Sequence, residues 1–587
     1  MPEIKQRNLN PAVYEQALTL GLSPLVAKVL AGRISDSTID LQTIVQPELR
    51  YLPHPERLKD AVKAAQRIAQ AIIKGEVIGI LTDYDVDGIT SHVVFYRTLT
   101  EWFGVSPDKV QSLIGHRIND GYGVSAGLVA RILSQPVLPD LIITADCGSS
   151  DEARIALLRQ AGIEVIVTDH HALPESGVPE SAFAVVNPTQ ADCDYPDATI
   201  AGCMVAWLVM SSTRNHLIQK HYLPVSSPKL SKLLSYVALG TVADCVSLGQ
   251  SAVNRAVVRT GLTLINQFDQ PCWRAFRRLL KKDNAVFTPD MLGFQLGPRI
   301  NARGRLDDPY AALHFMLSAY DHQADHYLSL LDQDNEDRKA IEQEMATYAQ
   351  GIATEQVLAR RQGLAIVVPD GHAGVQGIVA SRVTQKTGKP SVVLCPALNP
   401  DHLSGSARSV DQVHIRDVLQ LVAQQHSEVL VKFGGHKGAA GLTILRSQQE
   451  IFAELFDWAV KQQLSETEHL NPTLWVDEHL APEQINIETW QQLQQLQPYG
   501  REFDNPMFLG VFFVEQLRPV GADQSHLQLL LSCPNTGFSF KAIWFKALAA
   551  GAKVNFQEGA NIKVAYQLSL NEYKGQSSVQ LLVEWAE

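Results

Sequence analysis

Short, uninterrupted apolar runs that each end at an acid are the feature that most limits how this chain can fold. "VIGILT" (77–82) runs into Asp83, "LIIT" (141–144) is followed within two residues by Asp146, and "VIVT" (165–168) runs into Asp169, His170 and His171. Runs of this length, rich in β-branched residues, read as strands buried on both faces. Helical periods surround them, as in "DAVKAAQRIAQAIIKG" (60–75) and "DEARIALLRQAG" (151–162). Strand, helix and strand at this spacing predict βαβ units and a parallel sheet. In such a sheet ligands bind beyond the carboxyl ends of the strands, where neighbouring loops converge. Three strands therefore deliver acids or imidazoles to one edge. Asp244 joins them from the end of the apolar stretch "ALGTVADCVSL" (238–248).

The first of these loops, Asp83-x-Asp85-x-Asp87-Gly88, also looks like the opening of a calcium-binding EF-hand. That motif needs a bidentate Glu at its twelfth position and a helix on each side. Here the twelfth residue is Val94 and a strand precedes the loop, so the calcium reading fails. Several carboxylates within a few ångströms of one another cannot all stay ionised, and divalent cations remove that penalty. Oxygen donors with one or two imidazoles and no thiolate suit Mn²⁺ or Mg²⁺. Six or more ligands are too many for one ion with open positions; two ions about 3.5–4 Å apart, bridged by a carboxylate, account for the number. Each piece alone could be turn chemistry or a helix cap, and their joint position after strands is what points to metal.

A length of 587 residues suggests three or four domains at roughly 150 residues each. The expected fold class is α/β. A parallel-sheet domain occupies residues 1–320 with its N-terminal region, a connecting helix spans 321–357, a smaller α/β domain spans 358–462, and a C-terminal β-barrel spans 463–587. The helix rests on the polar, Gly-poor stretch "HYLSLLDQDNEDRKAIEQEMATYAQGIA", which reads equally as a linker or as a surface helix of one domain. The barrel rests on five β-like runs after residue 508, an economical fit to a closed Greek-key barrel.

With 62 acids against 50 Lys and Arg, the net charge of −12 excludes a generally basic nucleic-acid coat but not a local basic groove. "RAFRRLLKK" offers Arg274, Arg277, Arg278, Lys281 and Lys282 with no acid among them, either a solvated helix face or a groove wall. Trp544, Phe545 and Phe540 are either barrel core or a stacking platform for bases. No apolar run reaches the ~18 residues of a membrane span. Seven scattered Cys without a C-x-x-C pair argue for a reducing compartment, so a cytoplasmic chain is expected.

Taken in order, "DYDVDG" (83–88), "HRINDGYG" (116–123), "ADCG" (145–148), "DHHALP" (169–174), "NPTQADCDYP" (187–196), "ALGTVADCVSLGQSAVNR" (238–255), "GPRINARGRL" (297–306), "GIVASR" (377–382), "GSARSV" (405–410) and "GGHKGAAG" (434–441) resemble the DHH phosphoesterase family, within it the single-strand-specific exonucleases. The resemblance covers about residues 80–442, and an OB-fold is expected to follow. It implies a 5′-to-3′ exodeoxyribonuclease of DNA repair and recombination, acting on single-stranded DNA with two divalent ions, Mn²⁺ or Mg²⁺. By resemblance, Asp83, Asp85, Asp87, Asp146, His170 and Asp244 hold the metals, with Asp146 bridging. Asp169 would orient His170, and His171 would face the scissile phosphate. Arg117, Ser406 and Arg408 would grip the 5′ end, Arg299, Arg303 and Arg305 would line the substrate channel, and His436 would reach a phosphate from the second α/β domain. A channel between the two α/β domains would admit one strand and exclude duplex. A monomer is expected, with a single-strand-binding protein and a helicase as partners implied by the resemblance. The chain departs from the family pattern at His116, where Asn is usual, and at Cys147, where "DNG" is usual. "QPYGREFDNP" (497–506) is a loose version of the family's Gly-Asn-Pro segment. Two rival readings remain open at this level: a phosphoesterase of the same family acting on short oligonucleotides or cyclic dinucleotides, and a DNA-binding scaffold without metals.

Overall fold

The computed structural model describes every residue except 1, 117–119, 282–285, 307–308, 465–469, 535, 550–551 and 574–575, and the side chains at 305–306 and 572–573. The chain divides into two compact units. One comprises Asn8–Asn335 with Gln491–Asn505; the other comprises residues 1–7, Glu336–Trp490 and Pro506–Glu587.

The first unit is built on a five-stranded sheet in the order Val110–Ile114, Ile78–Thr82, Leu141–Ala145, Glu164–Thr168, Ala184–Val186, with every neighbouring pair parallel. Ile78–Thr82 and Leu141–Ala145 are buried along their whole length, as their continuous apolar sequence requires. The chain steps from Ile78–Thr82 to one side and then crosses to the other, so the order reverses between Ile78–Thr82 and Leu141–Ala145. That reversal opens a crevice at the carboxyl edge. Helices Val86–Arg97, Gly202–Gln219 and Leu234–Ala243 pack on one another in the largest apolar core.

Gln491–Asn505 belongs to this unit although it follows the second α/β region in sequence. Arg255 is what holds it. Its guanidinium, wholly buried, donates to the carbonyls of Ile44, Leu248, Pro498 and Leu496 and lies 4.3 Å from the Phe503 ring centroid. Burial pulls its pKa down to about 9, because carbonyl dipoles rather than a carboxylate solvate the charge. Arg255→Met removes the donors and leaves those four carbonyls without them. A loss of about 3 kcal/mol or more is expected, read as a lower urea midpoint.

The second unit holds two β structures. A mixed sheet runs Leu430–Gly435, Ala439–Leu445, His402–Arg408, Ser391–Pro396, Leu364–Val367, and only its last pair is parallel. The five β-like runs of the tail become Phe508–Val520, His526–Ser532, Ser539–Trp544, Asn561–Tyr573 and Gln576–Ala586, closed into a barrel. A small parallel pair, Glu3–Gln6 with Thr473–Val476, joins the start of the chain to the approach to the barrel. The long polar stretch forms one helix, Asp321–Leu358, which begins in the first unit and ends in the second. Among the described residues, no helix is long and apolar enough to cross a membrane.

Candidate metal centre and strand-binding residues

Register alone gathers three of the acids. Thr82 is level with Ala145, and Ala145 with Thr168. The residue after each is Asp83, Asp146 and Asp169, and all three are buried. Asp146 has φ 60°, in the left-handed region that strains most L-residues and that Asp tolerates comparatively well. It lies so close to the start of helix Gly202–Gln219 that a Cβ on Gly202 would stand 2.8 Å from the Asp146 Cβ. Only glycine permits that approach.

Asp85 caps helix Val86–Arg97, its Oδ1 accepting from the Gly88 N–H at 3.0 Å. Asp87, in the first turn, accepts from the N–H groups of Gly202 (2.6 Å) and Cys203 (2.9 Å). These are first-turn donors of helix Gly202–Gln219, which would otherwise lack partners and which favour negative charge. Asp244 is the C-cap of helix Leu234–Ala243. His170 stands among the acids. Its Nε2 is 3.1 Å from Asp146 Oδ1, 3.5 Å from Asp244 Oδ2 and 3.7 Å from Asp87 Oδ2. Three overlapping sets result, each with ligand atoms within 4.8 Å of one another: Asp83, Asp85 and Asp146; Asp146, His170 and His171; Asp87, His170 and Asp244.

Asp169 does something different from the sequence expectation. Its carboxylate accepts the ring Nδ1–H of His171 at 2.7 Å, not the ring of His170; to His170 it offers only an acceptor for the backbone N–H, at 2.8 Å. Its other oxygen accepts from the Ser149 N–H. The reason is chain direction: after the strand end, His171 folds back over Asp169 while His170 is turned toward Asp146. On its far side, His171 Nε2 lies 3.2 Å from the Tyr122 hydroxyl. Tyr122 was not singled out from sequence, although it stands in the "HRINDGYG" motif.

The electrostatics follow from burial. Burial, followed by the charges of Asp87, Asp85 and Asp244, pushes the Asp146 carboxyl well above its usual range. Burial and the same neighbours push Asp244 up, opposed by His171 and Arg501. Asp87 also rises with burial, against the pull of His170. His170 is lowered by burial and is therefore a neutral imidazole, the form that binds metal. Burial works against a charge on His171 as well, but its hydrogen bond and charge attraction to Asp169 lift it to about 9. Asp169, despite burial, is held well below the carboxylate range by His171. Buried carboxylates that raise one another, with a neutral imidazole between them, fit divalent cations with a preference for oxygen donors. Asp83, Asp85, Asp87, Asp146, His170 and Asp244 are the residues that would hold them.

The remaining sequence candidates fall elsewhere. Arg299 and Arg303 lie on helix Gly297–Leu306, where they pair with Asp332 (2.8 Å) and Asp334 (2.9 Å) of the long helix. Arg274 and Arg278 pair with Asp321 and Asp325, and Arg277 stacks on Phe268, so this part of "RAFRRLLKK" is a compensated helix face. Arg117 and Lys282 lie outside the described residues, as does the side chain of Arg305. Cys147 is buried in the apolar core behind the sheet edge with Leu81, Leu113 and Val124. In the second unit, Ser406 and Arg408 share one face of strand His402–Arg408. A Cβ on Gly377 would meet Arg408 Nη2 at 2.8 Å and Ser406 Oγ at 3.5 Å. Gly441, level with Ser406, has open space where a side chain would be. His436 is exposed at the turn between the strands Leu430–Gly435 and Ala439–Leu445. On the barrel, Phe540 is buried against Phe512, Trp544 is half-buried and Phe545 is exposed.

Three family descriptions match the chain: the DHH family N-terminal domain at residues 77–241, the DHHA1 domain at 361–462 and the RecJ OB domain at 476–585. The single-stranded-DNA-specific exonuclease RecJ of Haemophilus influenzae is 32% identical over 574 residues, 96% of this chain and 96% of its own. That of Dickeya dadantii is 34% identical over 550 residues, 92% of each. Among solved structures, RecJ in complex with Mn²⁺ from Thermus thermophilus has the same fold, with a TM-score of 0.78 at 23% identity over 100% of this chain and 79% of that one. Relatives above 30% identity over nearly the whole chain, with the three matching domains, show that the chain belongs to the RecJ family of DHH phosphoesterases.

Proposed function

We propose that this chain is a single-stranded-DNA-specific exonuclease that hydrolyses phosphodiester bonds from the 5′ end toward the 3′ end, using two divalent ions held at the carboxyl edge of the parallel sheet. The observation that carries this reading is the convergence of Asp83, Asp85, Asp87, Asp146, His170 and Asp244 in overlapping ligand sets. Asp146 stands in the set with Asp83 and Asp85 and again in the set with His170, which supports it as the bridging ligand. Family membership supports the substrate and the reaction.

Bound there, the ions would acidify a water and offset the charge that grows on the phosphate. The side chains do the rest. Asp169 fixes the His171 ring through Nδ1, which leaves Nε2 beside the Tyr122 hydroxyl on the exposed side of the cluster. There the ring would face the scissile phosphate. Ser406 and Arg408, beside the bare backbone at Gly441, suit the terminal 5′ phosphate, since a guanidinium fork matches a phosphate. His436 would add a contact to the strand, and Arg117 would assist at the 5′ end. The chain would act as a cytoplasmic monomer in DNA repair and recombination, with a helicase supplying single strands and a single-strand-binding protein presenting them.

The test is product length over time on single strands labelled at either end, beside the matched duplex, with Mn²⁺ present or chelated. Stepwise loss of mononucleotides from the 5′ end of the single strand only, abolished by chelation, is expected. Equal rates on duplex, or cleavage that survives chelation, would reject the reading.

A further inference from the structure

A cluster of carboxylates that attracts dications also repels a phosphodiester strand, so its rim needs positive charge. Other arginines of this unit are already taken up by acids: Arg299 by Asp332, Arg303 by Asp334, Arg274 by Asp321 and Arg278 by Asp325. Arg501 is different. It is exposed, and among the described residues its side chain forms no hydrogen bond or ion pair. It arrives from the far end of the sequence, on the segment that Arg255 fastens to this unit through the Leu496 and Pro498 carbonyls.

The fastening is tight beside the site. The Arg501 carbonyl accepts from the Leu248 N–H at 3.0 Å, and Glu502 accepts from the Ser247 hydroxyl at 2.6 Å. A Cβ on Gly249 would stand 2.5 Å from the Glu502 carbonyl oxygen, so glycine is what lets the two segments meet. Ser247 and Leu248 follow the acid Asp244 by three and four residues. Arg501 is thus pinned by its backbone at the Asp244 side of the cluster while its guanidinium stays in the open.

We infer that Arg501 is a substrate-binding residue that grips a backbone phosphate of the DNA strand at the Asp244 side of the metal cluster. The inference rests on the nuclease reading above. Phosphate is the ligand because a planar guanidinium offers paired donors that match two phosphate oxygens, and because the proposed substrate carries a phosphate at every backbone step past this edge. The segment's place in the fold gives it a second consequence: the strand-facing cation comes from the approach to the barrel, so this part of the chain contributes directly to the site of the first unit.

The test uses the full chain and a fluorescently labelled oligodeoxynucleotide in chelator, where nothing is cleaved, with affinity measured by anisotropy at several salt concentrations. Arg501→Gln is expected to weaken binding about tenfold and to lower the slope of log affinity against log salt by about 0.7, the loss of one phosphate contact on a single strand. Arg501→Lys should recover part of the affinity, keeping the charge without the fork. The backbone clasp does not use the side chain, and an unchanged thermal midpoint checks that the fold is intact. Unchanged affinity and slope in Arg501→Gln overturn the inference. So does a variant whose only change is tighter Mn²⁺ binding by calorimetry, which would mean that Arg501 merely screens Asp244. A wild-type chain that binds the strand but never cleaves it sinks the nuclease reading instead, and the affinity comparison still decides the role of Arg501.

Discussion

Asp85→Ala or His170→Ala is expected to lower cleavage of single-stranded DNA by about a thousandfold or more, a loss of roughly 4 kcal/mol of transition-state stabilisation. Oligonucleotide affinity should stay within a few-fold of wild type. The two residues fail by different routes. Asp85 supplies a carboxylate to the set with Asp83 and Asp146 and also caps helix Val86–Arg97. Losing the cap costs about 1 kcal/mol of stability, so Asp85→Asn, which still caps, separates the two effects. It should restore the thermal midpoint and leave cleavage abolished. His170 is the neutral imidazole between Asp146, Asp244 and Asp87. Removing it leaves two buried carboxylates and the half-buried Asp244 without the ring that stands among them. Turnover within tenfold of wild type in either alanine variant would overturn the ligand assignment.

The sequence revealed the parts of this fold whose physics is local. Ile78–Thr82, Leu141–Ala145 and Glu164–Thr168 are buried between helices, and burial on both faces writes itself as an unbroken apolar run. Val110–Ile114 is less legible because it lies at the sheet edge and carries Gln111 and Ser112, and Ala184–Val186 is too short to show a period. Glu3–Gln6 and Thr473–Val476 are half-exposed and pair across almost the whole chain, so nothing local marks either as a strand. Asp83, Asp146 and Asp169 were legible for the same reason as the strands, since each directly follows one, whereas Asp85 and Asp244 cap helices. Partnership was not. Nothing in "DHH" says which of the two rings the carboxylate will hold, and the fold gives it His171. Arg274 and Arg278 read as a solvated helix face or a groove wall, and Arg299 and Arg303 by resemblance as channel residues; the acids that helix Asp321–Leu358 brings to them were not legible. Arg501 was out of reach because its position depends on Arg255, which precedes Pro498 by 243 residues and acts through carbonyls that leave no trace in side-chain chemistry.

With metal chelated, Asp146→Asn should make the first unit melt several degrees higher than wild type, and saturating Mn²⁺ should reverse the order. Asp146 is buried and ringed by Asp87, Asp85, Asp244 and Asp83, and both burial and those charges push its carboxyl well up. A carboxyl raised in the folded state binds its proton more tightly there than in the unfolded chain. Its ionisation therefore destabilises the fold, beginning as pH passes the unfolded value of about 3.9 and complete above the folded value. Chelated wild type should accordingly gain stability on acidification from neutral pH, and the Asn variant should gain less. Asn has the shape of Asp, accepts from His170 through its amide oxygen and tolerates the left-handed backbone at this position, so little else changes. In Mn²⁺ the balance inverts. Wild type gains about 2.7 kcal/mol when free metal is a hundred times its dissociation constant. A neutral amide in place of the Asp146 carboxylate forfeits most of that. Calorimetry in chelator and in Mn²⁺, at neutral and mildly acidic pH, reads all four states. If the chelated wild type instead outlasted the variant at neutral pH, mutual repulsion among these carboxylates could not be what calls the dications in.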